Sequence, residues 1–145
     1  MYEHILIAVD GSDVSIRAEE QGLALAKALG SQVTLVHATE PWPAAVSGEW
    51  ALAMPLKEYQ EVATANAKAV LAAASERARG YGIACRTEYI PGRYAAEGIL
   101  ERVKAAPCDL IVMGSHGRRG LSKLLLGSEA TRVLTGAHVP VLICR

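Results

Sequence analysis

The stretch Leu110-Ile111-Val112-Met113-Gly114-Ser115-His116-Gly117, followed after nine residues by Gly127-Ser128, decides how this chain folds. Four aliphatic residues run without a polar interruption and end on glycine. A half-exposed strand would alternate, so an unbroken run points to a strand buried on both faces of a parallel sheet. Three more runs of β-branched or aliphatic residues lie outward from it: Ile5 to Val9, Val33 to Val36 and Val139 to Ile143. A weaker candidate, Ile83 to Tyr89, places Ile83, Cys85, Thr87 and Tyr89 in alternation. Between the runs the spacing becomes helical. Residues 13–29 carry Ala18, Gly22, Leu25 and Leu29 on one stripe, with Gly30 as a stop. Residues 56–79 carry Leu56, Tyr59, Val62, Ala63, Val70 and Ala73, and residues 94–105 form a third helix. A fourth runs from Ser128, an apt N-cap, to Thr135. Strict β-α alternation implies right-handed crossovers and an open five-stranded parallel sheet with helices on both faces. No repeat, linker or low-complexity tract divides residues 1–145, which read as a single domain.

In such a sheet ligands bind beyond the carboxyl ends of the strands, where the winding reverses. Two turns there carry chemistry: Asp10-Gly11-Ser12-Asp13 after the first strand, and Gly114 to Gly117 after the fourth. Gly114 and Gly117 suggest backbone running close to a ligand in dihedrals closed to other residues. Gly127-Ser128 opens a helix whose unpaired N–H groups and positive dipole end suit a phosphate, and the Ser128 hydroxyl can add a donor. Arg118, Arg119 and Lys123, around Gly120, bring positive charge. One glycine alone would read as an element terminator; four with three cations and a helix start read as a polyphosphate site. Asp10 ends a buried strand at the crevice and reads as a ligand residue, whereas Asp13 reads as the N-cap of the first helix. His37 at a strand end, His4 and His138 read as structural or exposed residues.

Two familiar phosphate loops are excluded. The chain has no G-x-x-x-x-G-K-[ST], and no G-x-G-x-x-G follows the first strand. The spacing Gly114-x2-Gly117-x9-Gly127-Ser128 instead resembles the nucleotide-binding signature of the ATP-binding branch of the universal stress protein family. The likeness extends to the opening Ile5 to Ser12, to Leu35-Val36-His37 and to the closing Val139 to Ile143.

The resemblance implies a Rossmann-like sheet, akin to the adenine nucleotide alpha hydrolases, in the order 3-2-1-4-5. The switch point then falls between the first and fourth strands. By the same analogy Ala8, Val9 and Asp10 line the adenosine end, and Ala38, where a valine is commoner, packs on adenine. Met113 and Gly114 border ribose and phosphates, while His116, Gly117, Arg118, Gly127, Ser128 and Glu129 surround the triphosphate. The implied function is ATP binding, with Mg²⁺, by a regulatory module of the stress response with at most slow hydrolysis or autophosphorylation. The implied assembly is a homodimer through the apolar last strand, whose open edge invites pairing.

Two positions depart from the pattern. Glu129 stands where an apolar residue is usual, and is expected to bridge to Mg²⁺ or, preferably, to point to solvent. Gly92-Arg93-Tyr94-Ala95 replaces Gly-x-Pro-Ala, so the third helix loses its proline. As a general base beside a γ-phosphate only Glu129 and His116 offer themselves, and neither is well suited. The alternatives are an ATP-dependent enzyme of related fold and a dimerisation module without nucleotide. Against the enzyme, Asp10 to Ser15 lacks the paired glycines of a pyrophosphatase loop, and no H-x-G-H occurs. Against the bare dimer stand the intact glycines and Ser128.

Lys and Arg together number 15, as do Asp and Glu, so no global field attracts nucleic acid or an anionic membrane. Cys85, Cys108 and Cys144 match no metal spacing and fit a reducing compartment. The opening residues lack a basic leader region, and no apolar run is long enough to span a bilayer, so a cytoplasmic location is expected. Residues 39–55, with three prolines, Trp42 and Trp50, form a long connection of the kind that serves as a lid. Trp42, Trp50 and Tyr59 read as packing against the neighbouring helix rather than as a cover for the base.

Overall fold

The apolar runs become the strands of one sheet. In a computed structural model describing residues 1–42, 54–117 and 125–145, the strands are β1 (His4–Ala8), β2 (Gln32–Ala38), β3 (Cys85–Ile90), β4 (Leu110–Gly114) and β5 (Val141–Cys144). The helices are α1 (Asp13–Leu29), α2 (Leu56–Gly80), α3 (Ala95–Ala105) and α4 (Ser128–Gly136). All pairings are parallel, and the strand order is β3-β2-β1-β4-β5, as the resemblance implied. β5 starts two residues later than the apolar run, because the carbonyl of Pro140 accepts from Ile111 while its own nitrogen has nothing to donate.

Successive side chains of a strand point to opposite faces. Ile5 and Ile7 therefore join Val33, Leu35 and Val112 beneath α1 and α2, packed against Ala18, Leu23, Val70 and Ala74. Leu6 joins Val36, Ile111 and Met113 on the other face, against Ile99 of α3 and Ala130 and Val133 of α4. The buried stripe of α1 is rotated from the sequence reading: Leu23 and Ala26 are buried, and Leu29 is exposed. Gly22 is required by proximity, since a Cβ there would sit 2.7 Å from Ile7 Cδ1. Gly30 ends α1 in the left-handed region, at φ 71°.

Charged groups tie the layers together. Glu19 of α1 is wholly buried and receives two donors of Arg77 from α2, the closer at 2.8 Å. At the other end of the sheet from the crevice, Asp109 accepts the amides of Glu3 and His4. Buried His4 lies 2.8 Å from the Thr34 hydroxyl through Nε2. Burial pushes the thiols of Cys108 and Cys144 up, which keeps them protonated and unreactive. No helix among the described residues is long and apolar enough to cross a membrane.

Burial, with help from Arg86, holds His4 below its ordinary value of 6.5, although Asp109 pulls the other way. On acidification the unfolded chain takes up a proton that folded His4 refuses. Stability is therefore full above about pH 7 and falls as pH drops through the ordinary histidine range. Thermal denaturation between about pH 7.5 and 5.5 should show a declining midpoint that His4→Gln flattens. An NMR titration placing folded His4 at or above 6.5 would contradict this account.

Candidate functional site

The carboxyl ends of β1 and β4 part company at the point where the chain's winding reverses, and a cavity of about 790 Å³ opens there. That size is ordinary for a small-molecule site. Its floor is Ala8 at the end of β1, Val9 and Asp10 just beyond it, Val36 to Ala38 of β2, and Met113 and Gly114 of β4. The start of α4, from Gly127 to Ala130, closes one side, and His116 and Gly117 lie between. Of the residues singled out from sequence, Ala8, Val9, Asp10, Ala38, Met113, Gly114, His116, Gly117, Gly127, Ser128 and Glu129 all line this one cavity. Arg118 lies outside the described residues, as do Arg119, Gly120, Lys123 and Trp50.

The glycines are present for a different reason from the one expected. Gly114, Gly117 and Gly127 are not among the positive-φ glycines; what they answer is crowding. A Cβ at Gly114 would meet Val14 Cγ1 at 2.8 Å, one at Gly117 would meet Asp10 Oδ2 at 2.8 Å, and one at Gly127 would meet the Ser115 carbonyl oxygen at 2.9 Å. The Gly127 amide donates to that same carbonyl at 2.7 Å, and the Ser115 amide donates to Cys144 of β5 at 2.7 Å. The turn after β4 is thus pinned between the last strand and the last helix.

Asp10 is held by a local turn. Its Oδ1 accepts from the Ser12 amide at 2.8 Å, and its own amide donates to Ser15 Oγ at 2.9 Å. The cap of α1 is Ser12, whose hydroxyl accepts from the Ser15 amide, and not Asp13, which sits in the first turn. A similar one-residue shift occurs at α4. Gly127 occupies the cap position with no side-chain cap, and Ser128 is the first helical residue. A Ser128 hydroxyl not engaged in capping fits a donor role better than the cap that the sequence suggested.

Glu129 does not point freely to solvent. Its Oε2 accepts the Ala96 amide of α3 at 2.6 Å, and Oε1 takes a donor of Arg132 at 3.2 Å. Tyr94 at the cap of α3 makes no side-chain cap, and a carboxylate from α4 takes that place. The Arg132 guanidinium in turn lies over the Tyr94 ring, 5.9 Å from its centre.

His37 is structural at one nitrogen, its Nδ1–H donating to the Val9 carbonyl at 2.7 Å, and it also lines the cavity. His116 lies 3.0 Å from Ser115 Oγ through Nδ1. Sequence reasoning missed the wall contributed by α2, where Tyr59, Val62, Ala63 and Asn66 face the cavity. The signal was available, since these positions follow helical spacing while Val62 has no sheet beneath it and is exposed. Tyr59, read as a packing residue, is part of this wall, and its hydroxyl donates to the Glu40 carbonyl. Trp42 is not among the lining residues; its indole N–H donates to the Met54 carbonyl. Tyr94, Ala95 and Ile99 of α3 were also missed.

A doubly wound parallel sheet with a crevice at its switch point places the chain among the open α/β folds. The model of the universal stress protein family matches residues 1–145, and the chain belongs to that family. It is 36% identical to a universal stress protein of Thermus aquaticus across the full length of both. It is also 35% identical to one of Methanocaldococcus jannaschii, covering all of this chain and 83% of that one. Among solved structures, the universal stress protein UspA of Lactobacillus plantarum superposes with a TM-score of 0.85 at 24% identity, covering 99% and 98% of the two chains. Two further family structures, each at TM-score 0.71, are described in complex with cAMP and, from Archaeoglobus fulgidus, with dAMP.

Gly127→Ala should destabilise the fold by about 1–3 kcal/mol, because the new methyl group meets a fixed carbonyl and not a flexible side chain. Urea denaturation reads this directly, and an unchanged midpoint would show that the turn after β4 can move aside.

Proposed function

We propose that this chain binds an adenine nucleotide, ATP above all, in the crevice between β1 and β4, and acts as a cytoplasmic regulatory module of the stress response. The observation that carries the reading is the start of α4. Its cap is a glycine with no side-chain acceptor, so the first-turn amides are left to a ligand, and the Ser128 hydroxyl stands beside them. The close-packed glycines bring the chain around this point without side chains in the way. Opposite, the apolar ends of β1 and β2 and the α2 wall with Tyr59 suit a purine, and Asp10 offers a carboxylate to a ribose or base. The cAMP and dAMP complexes of family neighbours support an adenine nucleotide.

Among the described residues no group of three or more His, Cys, Asp or Glu could hold a metal ion. Mg²⁺ would therefore arrive with the triphosphate and be held chiefly by it. Binding rather than rapid turnover is the reading favoured by the two possible bases. Glu129 is committed to Ala96 and Arg132, and His116 is engaged by Ser115.

Calorimetric titration of nucleotide-stripped protein with Mg-ATP, beside Gly114→Val, tests the site. Micromolar-range binding by the wild type, lost in a variant that keeps its circular dichroism, is the expected result. No heat and no nucleotide co-purifying with the wild type would sink the reading.

The homodimer is likewise proposed through β5, which pairs with β4 on one side only and exposes Leu142. Light scattering should give twice the chain mass, and a monodisperse monomer would overturn the proposal.

A further inference from the structure

The charges on the cavity wall raise a question that its shape does not answer. Asp10, Glu40 and Glu129 line it, and among the described residues no Lys or Arg does. Of the three carboxylates, Glu129 lies nearest in sequence to the proposed phosphate contact, directly after Ser128 in the first turn of α4. It cannot swing away freely, because the Ala96 amide holds it at 2.6 Å. Arg132 does not cancel it: the pair is a single contact at 3.2 Å between side chains 53% and 33% exposed, where solvent screens most of the attraction. The guanidinium is also drawn to the Tyr94 ring. A fixed negative charge therefore stands beside the place where a nucleotide's phosphates would lie.

Resting on the adenine-nucleotide reading, we propose that Glu129 is a specificity-determining residue that makes the crevice discriminate by phosphate charge. It favours AMP-like ligands and Mg²⁺-complexed ATP over free ATP. Two opposed roles meet in the one side chain. The carboxylate supplies the cap that Tyr94 cannot give to α3, and by the same placement it disfavours each added phosphate charge. Coulomb repulsion acts on the difference between ligands, since free ATP carries about two more negative charges than AMP at neutral pH. Adenosine, which is uncharged, should not sense Glu129 at all.

The isosteric change Glu129→Gln separates the two roles. Glutamine keeps an oxygen to accept the Ala96 amide, and loses the charge together with the solvent-screened contact to Arg132. Calorimetry of the stripped full-length chain would use adenosine, AMP, ATP in EDTA and ATP with Mg²⁺. E129Q should bind free ATP roughly fivefold more tightly. The gain should be under about twofold for AMP, and adenosine should be unchanged. Arg132→Gln, outside the cavity lining, removes only a screened partner of the carboxylate and should move the ratio of free-ATP to AMP affinity the other way by much less than E129Q does. Glu129→Ala, which also loses the cap, should lower the melting temperature where E129Q does not. Equal shifts for all ligands in E129Q, or none, would overturn the proposal while leaving the nucleotide reading intact. Wild-type protein that binds none of the four ligands would overturn both.

Discussion

Everything in this molecule is arranged around the burial of β1. Ile5, Leu6 and Ile7 have no exposed surface, and both edges of the strand are occupied, by β2 on one side and β4 on the other. A strand covered on both faces and both edges has to sit in the middle, so the chain builds outward first to one side and then to the other. The reversal leaves the ends of β1 and β4 without a crossover between them, and that gap is the cavity. The crevice is the geometric remainder of a hydrophobic constraint: no residue had to be recruited to open it.

What the crevice can hold is set in part by how the helices that follow β1, β3 and β4 are capped. α1 is closed by its own Ser12. α3, which begins at Tyr94 without an acceptor, is closed from outside by Glu129. α4 begins at Gly127 and, among the described residues, its cap position carries no side-chain hydrogen bond. The dipole and amides of two helices are thus consumed internally and those of the third are left available. The division of roles is made by single residues at equivalent positions, serine, tyrosine and glycine, and not by the backbone, which is much the same in the three.

The fold was legible because its signal is collective. Four of the strands are largely aliphatic runs, and each helix repeats its period over two turns or more, so that an error at Leu29 or Val139 leaves the topology untouched. Most of the crevice was legible for a related reason: Gly114, Gly117, Gly127 and Ser128 hold a fixed spacing in the chain. What was misread concerns pairs distant in sequence. Nothing local to Glu129 points to Ala96, 33 residues away, and nothing local to Gly117 reveals that Asp10 crowds it. The dihedral reason read for Gly114 and Gly117 does not hold, since neither has a positive φ, and a dihedral requirement and a steric one leave the same letter in the sequence. The α2 wall was missed because Tyr59 and Val62 continue an apolar stripe that, farther along, does rest on the sheet.

The bond from Gly127 to Ser115 has a consequence for how this protein can vary. Ser115 also donates to Cys144, so the turn after β4, the end of β5 and the cap of α4 share one run of backbone hydrogen bonds. A shift in any one of the three is passed to the other two. Change at this corner of the crevice is therefore cheapest by exchanging side chains on a frame that stays in place, as at His116 or Ser128, and not by moving the frame.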